Sequence, residues 1–177
     1  PRWHQAALRE NRPRAFEDFL AVAEMMRDLW PRAALTSEVI VGYPGESEAA
    51  FARTVDVLRR AGVSRLHVFR FSPRPGTREW HRRGEADREA ADRRSAALRR
   101  LAEDWRLGYI ERHTGERRTM LVERVTPRGR ESVVLGTTED YIKAVVPCSS
   151  PGVSPGTLLE VRIEGVKGAR AEVSAVM

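Results

Sequence analysis

Between Pro13 and Trp30 the apolar residues Phe16, Phe19, Leu20, Ala23, Met26 and Trp30 recur every three or four positions. That spacing predicts an amphipathic helix with a core-facing stripe, and Pro31 stops it. The period then shortens. Ala34 to Val41 ends in the β-branched run Val39, Ile40, Val41, which predicts a buried strand. Ser47 to Ala61 returns to helical spacing with Phe51, Val55 and Leu58 on one face, Ser47 at the N-cap and Gly62 at the C-cap. Ser64 to Phe71 alternates Leu66, Val68 and Phe69 with polar residues and predicts a second strand. Helix, strand, helix, strand is the order of βα units on a parallel sheet.

A long helix is expected next, from about Asp87 to His113. Its apolar stripe is Ala90, Ala97, Leu101, Trp105 and Tyr109, beside Leu98 and Ala102, with charged residues on a solvated face. Trp30 and Trp105 are expected in the core. From Glu116 the helical period disappears. RRTMLVERV, ESVVLGTTEDYIKAVVP, GTLLEVRIEGV and ARAEVSAV are short, Val-rich and punctuated by Gly, Pro and Ser. Four or five such strands predict a small closed barrel of OB-like size. The fold class is therefore α/β followed by all-β, with residues 1–114 in one piece and 115–177 in the other.

Two connections are unusual. Gly42-Tyr43-Pro44-Gly45-Glu46 follows the first strand, and SPRPGT, residues 72–77, follows the second. On parallel strands both loops face the same edge of the sheet, where α/β proteins keep their ligands. A tight turn leading into the Ser47-capped helix is the plainer alternative for the first loop.

Composition narrows the classes. The chain has 177 residues, 41% apolar and 32% charged, and no stretch approaches a membrane span. The basic opening segment lacks the apolar core of a signal peptide. The single cysteine, Cys148, cannot form an internal disulfide, which fits a reducing cytoplasm. The net charge is +6, and all the basic residues except Lys143 and Lys167 are arginine. Such a bias follows most simply from a GC-rich coding sequence, and it also suits phosphate and base contacts.

The run LTSEVIVGYPGESEAAFARTVDVLRRAGVSRLHVFRFSPRPGT, with VGYPGES, HVF and SPRPGT in this spacing, resembles the late barrel strands of radical-SAM methylthiotransferases. Residues 116–177 resemble the TRAM domain of the same enzymes, a small RNA-binding β-barrel. The resemblance implies the C-terminal part of a partial TIM-like radical-SAM barrel, a connecting helix, and a TRAM barrel. Within the family, GTTEDYIKAVVP is most similar to the type that acts on threonylcarbamoyladenosine at tRNA position 37.

The chemistry implied by the resemblance uses S-adenosylmethionine and 4Fe-4S clusters to place a methylthio group on C2 of the adenosine. Cluster ligation needs a CxxxCxxC set of thiolates, and this chain has one cysteine. A severed C-terminal half or a truncated relative, starting at Pro1 without methionine, is therefore expected. It would carry no catalytic residue, hold no metal, bind neither cofactor alone, and need the missing N-terminal half as a partner.

By the same resemblance Ile40, Val41, Gly42 and Gly45 would form one wall of the S-adenosylmethionine pocket. The two glycines would let the backbone approach the ligand, and His67 and Phe69 would form a second wall. The wider superfamily spaces the glycine and glutamate of this motif one residue closer than Gly42 and Glu46, so Glu46 stands either as a contact or as a helix-terminus charge. His67 stands as a core or rim histidine against a catalytic base. Arg74 in the second loop is a candidate for phosphate or base contact. Tyr141 and Lys143, read as alternating on a barrel strand, are candidates for stacking and phosphate contact with tRNA. Arg117, Arg118, Arg128 and Arg130 are candidates to track its backbone with salt-dependent affinity. Three readings stay open: an enzyme fragment, a non-catalytic TRAM-type tRNA-binding module, and a fragment of the isopentenyladenosine or ribosomal-protein branch.

Overall fold

The computed structural model describes residues 12–128, 131–148 and 153–176. The chain divides into two compact units between Ala102 and Glu103.

The first unit opens with helix α1 (Arg12–Leu29) and strand β1 (Thr36–Val41). Helix α2 (Glu48–Ala61) follows, then strand β2 (Arg65–Arg70), a 3-10 helix (Arg78–Glu85) and the long helix α3 (Arg88–Arg112), which crosses the division. The ends of α2 are those the sequence predicts. Ser47 accepts the Ala50 N–H at 3.2 Å, and the Gly62 N–H returns to the Arg59 carbonyl at 3.0 Å. β1 and β2 pair in parallel, with Val39 opposite Val68 and Ile40 opposite Phe69.

Several expectations about burial change. Val41 is fully buried, but Ile40 is 57% and Phe69 49% exposed, because alternation turns them to a face that no described element covers. On α1, Leu20 and Ala23 are buried while Phe16, Phe19 and Trp30 are exposed, so Trp30 is not a core residue. On α3 the buried face is Ala90, Ala91, Arg94, Ser95 and Leu98, and Ala97 points outward. Two polar residues on that face displaced the apolar stripe read from the sequence. The 3-10 helix, REWHRRGE, carries no apolar period and had no sequence signal.

The second unit is a closed five-stranded barrel with neighbours in the order β3-β4-β5-β7-β6. Its strands are β3 (Arg117–Arg128), β4 (Glu131–Thr138), β5 (Lys143–Cys148), β6 (Leu158–Lys167) and β7 (Arg170–Ala175). Only the β5–β7 pairing is parallel. Irregularities at Val122/Arg124 and Ile163/Gly165 bend β3 and β6 as closure requires. The interior is filled by Met120, Val122, Val134, Val146, Val161, Ile163 and Val173. Gly136 is needed where β4 crosses β3, since a Cβ there would lie 2.4 Å from the Leu121 carbonyl oxygen. The last turns of α3 join this unit through the buried Tyr109 and Ile110.

Candidate functional site

The loop after β1 is gripped by arginines from two later elements. Arg94 of α3, its side chain 8% exposed, places Nη1 2.8 Å from Glu46 Oε2 and Nη2 2.6 Å from Glu48 Oε1. The Glu46 Oε2 atom also accepts the Gly42 N–H at 2.7 Å, so the carboxylate closes the loop on itself. Arg82 of the 3-10 helix donates to the Pro44 carbonyl at 3.1 Å. Glu46 is therefore engaged within the protein on both of its described contacts.

Gly42 has φ 76°, and a Cβ built on it would lie 2.3 Å from the Ala91 Cβ. Helix α3 fills the space that the glycine leaves. The expectation that this glycine opens room for a ligand is thus replaced by a packing reason. Val41, expected beside the same ligand, lies on the opposite face of β1 from Ile40 and is fully buried.

The face that remains accessible carries Glu38 and Ile40 from β1 and their register neighbours His67 and Phe69 from β2. His67 is half-buried there. Tyr43 packs edge-on against Phe71 with ring centroids 5.0 Å apart, closing the end of the strand pair. Beside the edge of β1 lies an open groove of about 380 Å³ lined by Phe16, Phe19, Ser37, Glu38, Ile40 and Val57. Arg74 is exposed in the 72–77 loop, whose turn is tied by the Thr77 hydroxyl donating to the Arg74 carbonyl at 2.7 Å.

On the barrel the predicted RNA residues separate. Arg117 is exposed. Arg118 is 5% exposed, with Nε 2.9 Å from Asp140 Oδ2 and Nη1 2.9 Å from Glu116 Oε2. Its guanidinium fastens the barrel internally and is not displayed to a phosphate, which corrects its assignment as a backbone-tracking residue. Burial opposes its charge, yet the bonds to Asp140 and Glu116 prevail and raise its pKa. Tyr109 donates its hydroxyl to Asp140 at 3.1 Å; burial, reinforced by the Asp140 charge, pushes its phenol well above the ordinary value. His113 Nδ1 lies 3.3 Å from Glu116 Oε2. Lys143 opens β5 and pairs with Glu123 at 2.8 Å. Tyr141 does not alternate with it on a strand but sits in the β4–β5 turn, 65% exposed. Arg128 ends β3, and Arg130 lies outside the described residues.

Sequence reasoning missed Arg94, Arg82 and Asp140. For Asp140 a signal existed in the turn-forming pair Glu139-Asp140. Arg94 and Arg82 were hidden among many arginines on charged helical segments.

The loop and barrel together can be set beside known proteins. No protein-family model matches the chain. It is 35% identical over 135 residues to the threonylcarbamoyladenosine tRNA methylthiotransferase MtaB of Thermotoga maritima, covering 76% of this chain and 30% of that protein. It is 31% identical over 153 residues to the tRNA-2-methylthio-N(6)-dimethylallyladenosine synthase of Sphingopyxis alaskensis, covering 86% and 34% respectively. The synthase of the same name from Frankia alni is 39% identical over 104 residues, covering 59% and 21%.

Its homologues are tRNA methylthiotransferases. The matched segment spans about a third of these methylthiotransferases or less. Both kinds of tRNA methylthiotransferase match across the α/β unit and the barrel, since 135 and 153 residues cannot fit in either unit alone.

The donor chemistry excludes one cofactor from this segment. An iron–sulfur cluster of this type needs several thiolates, and the chain has one cysteine. Among the described residues no three of His, Cys, Asp or Glu gather where a metal could sit. Ile40 and Phe69 stand side by side in register and exposed, an apolar pair on the accessible face of the strands. Among the described residues no helix is long and apolar enough to cross a membrane.

Proposed function

We propose that the chain is the C-terminal portion of a cytoplasmic tRNA methylthiotransferase acting on N6-threonylcarbamoyladenosine at tRNA position 37. Residues 1–114 complete a partial radical-SAM barrel, and residues 115–177 are a TRAM domain that binds tRNA. The observation that carries this reading is the 35% identity to the Thermotoga threonylcarbamoyladenosine enzyme, which extends over 76% of the chain. The clusters and the first part of the barrel come from elsewhere in the longer protein, and they supply the chemistry. This segment lends Ile40, Phe69, His67 and the backbone of Gly45 to the S-adenosylmethionine wall. Arg74, Arg117, Tyr141 and Lys143 face the RNA.

The dimethylallyladenosine specificity is the second reading, favoured by the Sphingopyxis match over 86% of the chain. Nucleoside mass spectrometry on tRNA from a strain lacking the gene separates the two. Loss of the 2-methylthio form of threonylcarbamoyladenosine, with the dimethylallyl form intact, is the expected result. The opposite loss would transfer the assignment, and loss of neither would overturn both.

A further inference from the structure

Arg117 of β3 and Arg162 of β6 stand directly opposite each other on antiparallel strands. Both lie on the outside of the barrel. Their neighbours in sequence Arg118, Val161 and Ile163 are buried, while Arg117 and Arg162 are exposed. Like charges opposite each other across a strand pair are destabilising, whereas opposite charges there contribute stability.

The surroundings do not relieve the conflict. Among the described residues neither guanidinium forms an ion pair, whereas Arg106, Arg118, Lys143 and Lys167 of the same unit each do. The acids that flank Arg162 on its own strand face are engaged by hydroxyls. Glu160 accepts from Thr119 at 2.8 Å, and Glu164 accepts from Ser174. Arg162 Nη1 donates to the Gly115 carbonyl at 3.2 Å, a bond that fixes the side chain without neutralising it. Arg117 is bonded through its backbone carbonyl, and its guanidinium makes no hydrogen bond among the described residues. Two cations kept side by side without a counterion suit an anion supplied from outside. Each guanidinium still offers donors in the fork that matches phosphate oxygens.

We infer that the Arg117–Arg162 seam is an anion site for the phosphate backbone of RNA. This rests on the reading that the barrel binds RNA, and it adds Arg162, which carries no signal in the sequence. The contact is indifferent to base identity, so its signature is salt dependence.

The test uses the chain with Arg117→Gln, Arg162→Gln, the double variant, Arg117→Lys and, as a paired-cation control, Arg106→Gln. Fluorescence anisotropy is read on a labelled single-stranded RNA and on a tRNA anticodon stem–loop across a salt series, with thermal melting in parallel. Arg117→Gln and Arg162→Gln should each weaken binding to both RNAs and reduce the slope of log affinity against log salt by about one, and the double variant by about two. Arg117→Lys should keep the parental slope, since it keeps the charge. Arg106→Gln should keep it as well, because that charge is already paired with Glu103 at 2.7 Å. Arg117→Gln should melt at or above the parent temperature, since it removes a like-charge opposition.

A parent chain that binds neither RNA would overturn the RNA reading of the barrel and this inference with it. A parent that binds, with Arg117→Gln and Arg162→Gln keeping its slope, would overturn the anion site alone. An Arg106→Gln that lowers the slope as much as Arg117→Gln would show a diffuse charge effect and no site at this seam. An Arg117→Gln that loses stability together with affinity would make the arginine a structural residue.

Discussion

Arg94 and Glu46 lie 2.8 Å apart although 48 residues separate them, and the same Glu46 oxygen holds the Gly42 N–H. A helix near the end of the first unit thus sets the shape of a loop near its beginning. Both side chains are largely buried, so removing one partner leaves an uncompensated charge. Arg94→Gln and Glu46→Gln are each expected to cost about 3 kcal/mol in urea unfolding. Glu48, the other partner of Arg94, has a side chain 73% exposed, and Glu48→Gln should cost under about 1 kcal/mol. Equal losses for Glu46 and Glu48 would show that the loop is not held this way.

Gly42 and Gly76 share a left-handed backbone but not their surroundings. A Cβ at Gly42 would lie 2.3 Å from Ala91 Cβ, whereas one at Gly76 would meet nothing within 4 Å. Gly76→Ala isolates the backbone penalty, about 1 kcal/mol. Gly42→Ala adds overpacking and is expected to cost about 3 kcal/mol or more. Similar melting curves for the two variants would refute the contact with α3.

The acid side of the stability profile depends on Glu116. Burial disfavours its charged form, but the hydrogen bond from Arg118 and the neighbouring His113 prevail and hold its carboxyl below the ordinary 4.5. A lowered folded pKa means that this stabilisation is complete above 4.5 and fades as pH falls through the lower folded value. Melting temperature followed from pH 7 down to pH 3 should fall below about 4.5, and Glu116→Gln should flatten that fall. An unchanged profile in the variant would remove Glu116 from this role.

The alkaline side depends on Tyr109. Its phenol is raised above the ordinary 10 by burial and by the Asp140 charge. The stabilisation from its neutral hydroxyl is complete below pH 10 and is lost as pH rises through the higher folded value. Tyr109→Phe should be less stable than the parent at pH 8, with the gap narrowing only in strong alkali. A gap that closed by pH 10 would mean that the hydroxyl is not held by Asp140.

Local spacing carried much of the fold. The helices α1, α2 and α3, the strand pair and the barrel strands all follow from period and punctuation, because each is decided by residues near one another in sequence. Burial was less legible, since it depends on what covers a face. Ile40 reads as a core residue from its β-branched neighbours, yet the face it lies on has no described cover. Arg94 reads as one more surface charge until Glu46 is found beside it. Gly42 was recognised as special from sequence, but for a reason the structure replaces: its space belongs to Ala91. Tyr141 reads as strand because it opens the run YIKAVV, rich in strand-forming residues. The Asp140 anchor that makes it a turn involves Tyr109 and Arg118, 31 and 22 residues away.

The arginines that clamp these loops also change what a polyanion would meet. Arg82, Arg94, Arg106 and Arg118 each pair with acids of their own unit, and both lysines pair with Glu123 and Glu172. Each such cation already has its counterion built into the protein. Fewer small ions are then exchanged when RNA docks than the 31 basic residues would suggest. The plot of log affinity against log salt should accordingly be shallow, with surface shape and stacking left to set how tightly RNA is held.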